Sequence, residues 1–310
     1  MFEKSIINCA IALIISLAPV GFAHGAGWEY YYRKGNIQFE AELYPAAMEN
    51  LERALEINPS LYDAANKMAR ILIARNRKRE ALDYLDRSLS IRADQADIHV
   101  TTGEIRDFFG YHELAFEHYT AAVSADPSHI GAHFNLVRWY VERGDTANAD
   151  RHFSAAYELG REDGERFLAG AREEERKKNN AGAAAMYGKA IEKNPAYIDA
   201  YFGLAELYRR TSRPDDAIAT LEKVKKVRPD NEKAHVYLGH LYFARRYARN
   251  RKYILTQAIR NFERAREINP ANPETLYGLS EVYLHMGDRD RADELREAAI
   301  ALEKKRESEK

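Results

Sequence analysis

LERALEINP (residues 51–59), YTAAVSADP (119–127), YGKAIEKNP (187–195), LEKVKKVRP (221–229) and FERAREINP (262–270) are variations on one pattern. Each ends in a proline, which stops a helix and fixes the turn that follows. The prolines are regularly spaced. Pro59 to Pro127 spans 68 residues, Pro127 to Pro195 another 68, and Pro195 to Pro229 spans 34. The period is therefore 34, with Ala93 and Arg161 standing where two prolines are missing. A fixed period of this length marks a repeat architecture, in which each unit buries its apolar face against its neighbours.

Counting from Trp28, the twentieth position of successive repeats is Ala47, Ala81, Ala115, Ala149, Ala183, Ala217, Ala258 and Ala292. Position 8 reads Gly35, Ala69, Gly103, Val137, Ala171, Ala205, Gly239 and Ser280. Position 27 is alanine except at Ser88 and Val224. Small residues at positions 8 and 20 are expected to face each other across a helix pair and allow close approach. The period and pattern resemble the tetratricopeptide repeat family. The resemblance implies an all-α, right-handed superhelical solenoid of about eight helix pairs, starting near residues 28, 62, 96, 130, 164, 198, 232 and 273. The array is expected over 24–306, followed by a polar tail, 307–310.

Two repeats depart from the pattern. Repeat five has Gly164 and Gly170 in its first helix, then the charged run AREEERKKNN (171–180). It reads either as the softest interface, near 160–182, or as a regular solvated helix. In repeat seven, position 20 should be 251 but is Ala258, so seven residues are extra. Both helices of that pair are expected to lengthen. The shared tip holds Arg245, Arg246, Arg249, Arg251 and Lys252. Repeat eight closes with a polar helix in which Arg296 replaces the usual aromatic, suiting a solvent-facing cap.

The chain has 310 residues, 45% hydrophobic and 31% charged, which excludes a disordered chain. Formal net charge is −1, so there is no global basic field and nucleic acid is not an expected partner. The segment MFEKSIINCAIALIISLAPVGFAHGAG (1–27) reads as a secretory signal, with Lys4, an apolar run from Ile6 to Leu17, and small residues Gly21 and Ala23 before a cleavage point after Ala23. The alternative is an uncleaved inner-membrane anchor. Either way the array is expected in the periplasm or outer envelope, with no transmembrane span in the mature chain. Cys9, the single cysteine, lies inside that segment and lacks the setting of a lipid-attachment site, so neither a disulfide nor a zinc–cysteine site is expected.

No phosphate loop, GxSxG or HExxH occurs. His112 and His118 flank HELAFEH, with the second histidine two positions late for a zincin motif. His129 and His133 are four apart but straddle a repeat boundary. His235, at position 4, reads as a core histidine. No metal, cofactor or catalytic residue is expected.

The resemblance implies a concave groove lined by positions 2, 5, 9, 12 and 13 of the first helices. Carried over by position, the partner-binding residues are Tyr32, Asn36, Asn66, Arg70, Glu104, Asp107, Phe108, Phe134, Arg138, Arg172, Phe202, Glu206, Arg209, His240, Phe243, Tyr277 and Glu281. Each aromatic among them reads equally as core. Mixed charge with interleaved aromatics suits an extended peptide or a partner helix. A double-carboxylate clamp is not expected, because only Asn36 fits it, with Lys67 in place of its second asparagine and Tyr32, Asp97 and Thr101 in place of its cations. The leading expectation is a non-catalytic scaffold for protein partners in the bacterial envelope. Two alternatives are polyanion binding (anionic lipid, envelope polysaccharide or nucleic acid) through the 245–252 tip, and an accessory subunit of an envelope enzyme or transporter.

Overall fold

The computed structural model describes residues 27–308. The expected signal segment and cleavage point, and Cys9, lie outside the described residues. Among the described residues there are sixteen α-helices and no strand. They run in pairs. The first six are α1 (Trp28–Glu40), α2 (Tyr44–Ile57), α3 (Tyr62–Ala74), α4 (Lys78–Ile91), α5 (Ala96–Phe108) and α6 (His112–Ala125). Then come α7 (Ile130–Glu142), α8 (Thr146–Leu159), α9 (Arg161–Arg176), α10 (Asn180–Lys193), α11 (Ile198–Arg210) and α12 (Pro214–Val227). The last four are α13 (Glu232–Ala244), α14 (Arg251–Ile268), α15 (Pro273–Met286) and α16 (Arg289–Ser308). The fold class is thus the all-α solenoid of helix pairs.

Local chemistry explains the punctuation. The residue before the repeated proline turns the chain. The side chains of Asn58, Asp126, Asn194 and Asn269 each accept a hydrogen bond from the backbone N–H two residues on, at 2.8–3.2 Å. In seven of the eight pairs the turn takes a left-handed residue at position 15. Gly110, Gly144 and Gly287 supply it with φ of 84°, 73° and 90°, and Glu42, Asn76, Lys178 and Ser212 adopt it at φ 59° despite their side chains.

The chain forms two compact units divided within α7, between Ala132 and His133. In the first unit α1 packs on α2, α3 on α4 and α5 on α6, with α2 on α3 and α4 on α5. One core layer gathers Leu51, Leu55, Met68 and Ile71, and the next Leu72, Leu85 and Ile105. In the second unit α9 pairs with α10, α11 with α12, α13 with α14 and α15 with α16. The first helices α13 and α15 also touch. Here one core runs from Tyr201 through Leu221, Leu241 and Phe262 to Val282, and a second joins Leu168, Tyr187 and Leu204.

The eight position-20 alanines are all buried, none more than 5% exposed. The expectation that positions 8 and 20 face each other needs refinement. A Cβ on Gly103 would sit 2.6 Å from the Tyr119 ring, and one on Gly239 2.7 Å from Phe262. Those rings are at position 24. Glycine at 8 therefore makes room for a large residue at 24, and alanine at 20 lets the helices close beside it.

The first helix of repeat five runs unbroken over Arg161–Arg176, through Gly164 and Gly170. It starts at Arg161, before Gly164, because Gly160 closes α8 and opens α9 without a proline turn. Gly164 lies under Tyr197, whose ring a Cβ would meet at 2.8 Å. The insertion in repeat seven is also differently distributed from expectation. α13 keeps the usual 13 residues, while α14 has 18 against 14 in α12, and the connection 245–250 has six residues against three at 211–213. Only the second helix lengthens, by four, and the connection takes three. α13 stops because Arg245 and Arg246 turn back to carbonyls three residues earlier. Among the described residues no helix is long and apolar enough to cross a membrane.

Candidate functional site

The first helices of the second unit bring several groove candidates together. Glu206 and Arg209 on α11 form a paired contact at 2.6 and 2.8 Å, and Tyr237 on α13 donates its hydroxyl to the same carboxylate. Burial would raise the Glu206 carboxyl, but the Arg209 bond outweighs it and holds its pKa below the usual range. His240 on α13 lies 3.4 Å from Glu274 and edge-on to Phe262. Tyr277 on α15 donates to Glu303 of α16 at 2.8 Å, and Arg306 reaches the Ala271 carbonyl at 2.8 Å. The end of α16 therefore folds against the start of α15, and its Arg296 is exposed.

Two cavities open on this face. One, of about 400 Å³, includes His240, Glu274, Tyr277 and Glu281 in its lining. The other, of about 440 Å³, is lined by Phe243, Arg246, Tyr247, Glu281, Leu284 and His285. Glu281 belongs to both and is exposed. Arg172 and Arg209 are exposed, and Phe134 and Arg138 are half-buried. Phe202 departs from the groove reading. It is 9% exposed, under the Lys233 ammonium at 4.5 Å and the Tyr237 ring. It is a core residue, because the bulkier position-6 side chain of the next repeat covers it.

In the first unit the polar groups are engaged with one another. Tyr32 and Lys67 both donate to Asp63. Burial would raise the Asp63 carboxyl, but those two bonds lower it, and burial together with Asp63 raises the Tyr32 hydroxyl. Asn66 donates to Gln95 at 2.8 Å, while its own oxygen is buried without a partner. Arg70 stacks on Phe39, Asn36 is half-buried and Glu104 is exposed. Asp107 binds the neighbouring His112 at 2.6 Å. Phe108 is 64% exposed, with the Lys78 ammonium 3.6 Å above its ring.

The basic tip is less free than its composition suggests. Arg245 is paired with Asp215, Arg251 donates to the His285 carbonyl at 3.1 Å, and Arg246 stacks 4.7 Å from both Phe243 and Tyr247. Arg249 and Lys252 remain exposed.

Two histidine pairs escaped the sequence reading. His99 and His118 approach through Nδ1 at 3.0 Å, and His133 and His152 through Nδ1 at 2.9 Å. Both pairs join position 4 to position 23, so the 34-residue spacing of 99 and 133, and of 118 and 152, was the available signal. His99 Nε2 donates to the Ala93 carbonyl, which leaves its Nδ1 to accept from His118. The ring centres lie 5.3 and 5.1 Å apart, so the nitrogens point head-on rather than toward a shared ion. Burial, first of all, lowers the pKa of His118 and His152 to about 4. His129 is engaged with Asp97 at 3.0 Å. Among the described residues no three His, Cys, Asp or Glu side chains gather as a metal site. His235 is 5% exposed and bonded to Asn261 and the Pro229 carbonyl, at the base of a polar cleft of about 770 Å³ between α12 and α14.

Comparison with known proteins gives the following. The family model of the tetratricopeptide repeat matches residues 38–100, 176–245 and 255–308, more than half of the chain. Human protein O-mannosyl-transferase TMTC3 is 25% identical over 299 residues, covering 84% of this chain and 32% of that protein. The chain thus spans about a third of that relative's length. A tetratricopeptide repeat protein from Parabacteroides merdae aligns with a TM-score of 0.44 and 19% identity, over 88% of this chain and 98% of that one. MamA from Desulfovibrio magneticus aligns with a TM-score of 0.39 and 24% identity, over 44% and 76%. The chain belongs to the tetratricopeptide repeat family.

Proposed function

We propose that this protein is a non-catalytic scaffold of the bacterial envelope, which holds a peptide segment or helix of a partner protein on the face of its first helices. A protein-interaction scaffold is the general reading that the family supports. The single observation that carries the finer reading is the face of the second unit. There Arg209, His240, Tyr277 and Glu281 stand outside the core with the half-buried Phe243 at its edge, and two cavities meet at Glu281. Charge of both signs beside aromatic rings suits a partner aligned by charge and anchored by apolar contacts. The envelope assignment rests on the sequence of residues 1–23 alone. The mannosyl-transferase name belongs to a protein three times longer, and no reacting group is read into this chain from it.

Charge reversal tests the reading. Arg209→Glu with Glu281→Arg should weaken capture of envelope proteins about tenfold, with helicity by circular dichroism unchanged. Lys223→Glu, on an exposed position of the second helix α12, should leave capture intact. Equal capture by all three proteins would contradict the proposal.

A further inference from the structure

The seven extra residues of repeat seven also shape the cleft between second helices. A second helix ordinarily starts three residues before its position-20 alanine, as α12 does with Pro214 and Ala217. By that measure α14 would start at 255, so residues 251–254 are an added turn, and that turn carries Tyr253. Tyr253 lines the cleft of about 770 Å³ between α12 and α14, whose size falls within the range of small-ligand sites. Tyr253, Gln257, Arg260 and Arg264 follow one another at intervals of three and four along α14, so they share the face that lines it.

Three observations describe what the cleft can hold. Tyr242 lines it from α13 and is 8% exposed, and among the described residues its hydroxyl has no hydrogen-bond partner. The oxygen is not among the sealed-off polar atoms, so a ligand can reach it. Burial first, then Glu222 and Tyr253, raise its pKa to about 12, so the hydroxyl stays protonated and lies toward two residues of the cleft wall. The Tyr253 hydroxyl and the Gln257 amide are likewise without a partner among the described residues. Hydroxyl and amide groups both donate and accept, and a ligand that bonds them removes the cost of leaving them unmet.

Charge is the second observation. Lys225, Arg260 and Arg264 are matched in the lining by Glu222, Glu263 and Glu267, so the cleft has no net charge. Lys225 pairs with Glu222 at 3.1 Å and Arg264 with Glu267 at 2.8 Å. The third observation is shape. No leucine, isoleucine, valine or phenylalanine lines the cleft, so it has no aliphatic recess. Its apolar surface comes from Pro229 and from the tyrosine rings, of which Tyr253 is 56% exposed.

We infer that this cleft binds a short neutral oligosaccharide. Sugar hydroxyls, each a donor and an acceptor, pair with Tyr242, Tyr253 and Gln257. The C–H face of one sugar ring lies on the exposed ring of Tyr253, which is apolar in its body and polar at its tip. The balanced charge argues against a phosphate or an acidic polymer, which would need surplus cations. The missing aliphatic recess argues against a peptide, whose affinity depends on buried apolar anchors. The site lies between second helices and goes beyond the proposed partner-binding face of the first helices.

The test is saturation-transfer NMR on the full chain with three neutral trisaccharides, maltotriose, cellotriose and triacetylchitotriose, each titrated to about 5 mM. At least one should receive saturation and give a binding curve that added salt leaves unchanged. Tyr242→Phe keeps the ring and removes the hydroxyl, so it should weaken that sugar about fivefold. Tyr253→Ala removes the platform and should weaken it by about the same factor. Arg209→Glu with Glu281→Arg should leave sugar binding as it is, which separates this site from the partner-binding face. No saturation of any of the three sugars would overturn the inference. So would unchanged affinity in both tyrosine variants, or loss of binding in the Arg209 and Glu281 variant alone. Binding of inorganic phosphate or of acetyl-tetraalanine amide that Tyr242→Phe weakens, with no sugar bound, would assign the cleft to an anion or a peptide instead.

Discussion

Position 15 shows how a single backbone requirement recurs through the repeats. Ser212 holds φ 59°, where Gly110, Gly144 and Gly287 stand in equivalent turns. Ser212→Gly should stabilise the chain by about 0.5–1 kcal/mol, since a left-handed L-residue costs more than glycine's added unfolded-state freedom. A higher urea midpoint at unchanged slope is the expected result, and a lower one would contradict it. The histidine pairs make a second residue-level prediction. His118 and His152 ionise near pH 4 in the folded chain, below an ordinary value of 6.5. The unfolded chain therefore binds more protons between those limits. Their stabilising contribution is full above about pH 6.5 and declines as pH falls toward 4. His118→Asn with His152→Asn should flatten that decline, as asparagine already stands at position 23 in Asn50 and Asn261. Parallel pH profiles of the urea midpoint for the two proteins would count against it. The buried alanines and small position-8 residues were legible at this scale, because a 34-residue period repeats the same packing constraint eight times. The histidine pairs were legible only in spacing. Nothing in the sequence alone says that positions 4 and 23 meet.

Helices and turns reveal where pattern reading runs out. Counting to Ala258 located the insertion in repeat seven but not its shape, because register fixes how many residues are extra and not which side absorbs them. The turn after Ala244 decides that, and its consequence is a cavity lined in part by Tyr247. Excising residues 245–251 should restore a 34-residue repeat and keep the helicity of the array, as circular dichroism would show. Loss of cooperative unfolding in the excised protein would show that the connection has a structural role instead. Phe202 makes the same point in the groove. Its position number matched a ligand contact, yet a lysine and a tyrosine of the following repeat cover it. Core and groove positions adjoin on one helix, and the size of the neighbour's side chain decides between them.

For the molecule as a whole, the repeats argue for a scaffold more strongly than any individual residue does. A packed array of helix pairs holds its first-helix side chains on rigid elements. The first unit uses most of its candidate groups in internal bonds, as Asp63 does with Tyr32 and Lys67. The second leaves Glu281 exposed between two cavities, with Arg209 at the surface in a paired contact with Glu206. The proposed partner-binding face is accordingly that of α11, α13 and α15. Photo-crosslinking in living cells from residues 209 and 281, with 223 as the opposite-face control, addresses that assignment directly. The account predicts a discrete protein adduct from the first two positions and none from the third. Adducts of equal yield from all three, or from 223 alone, would contradict it.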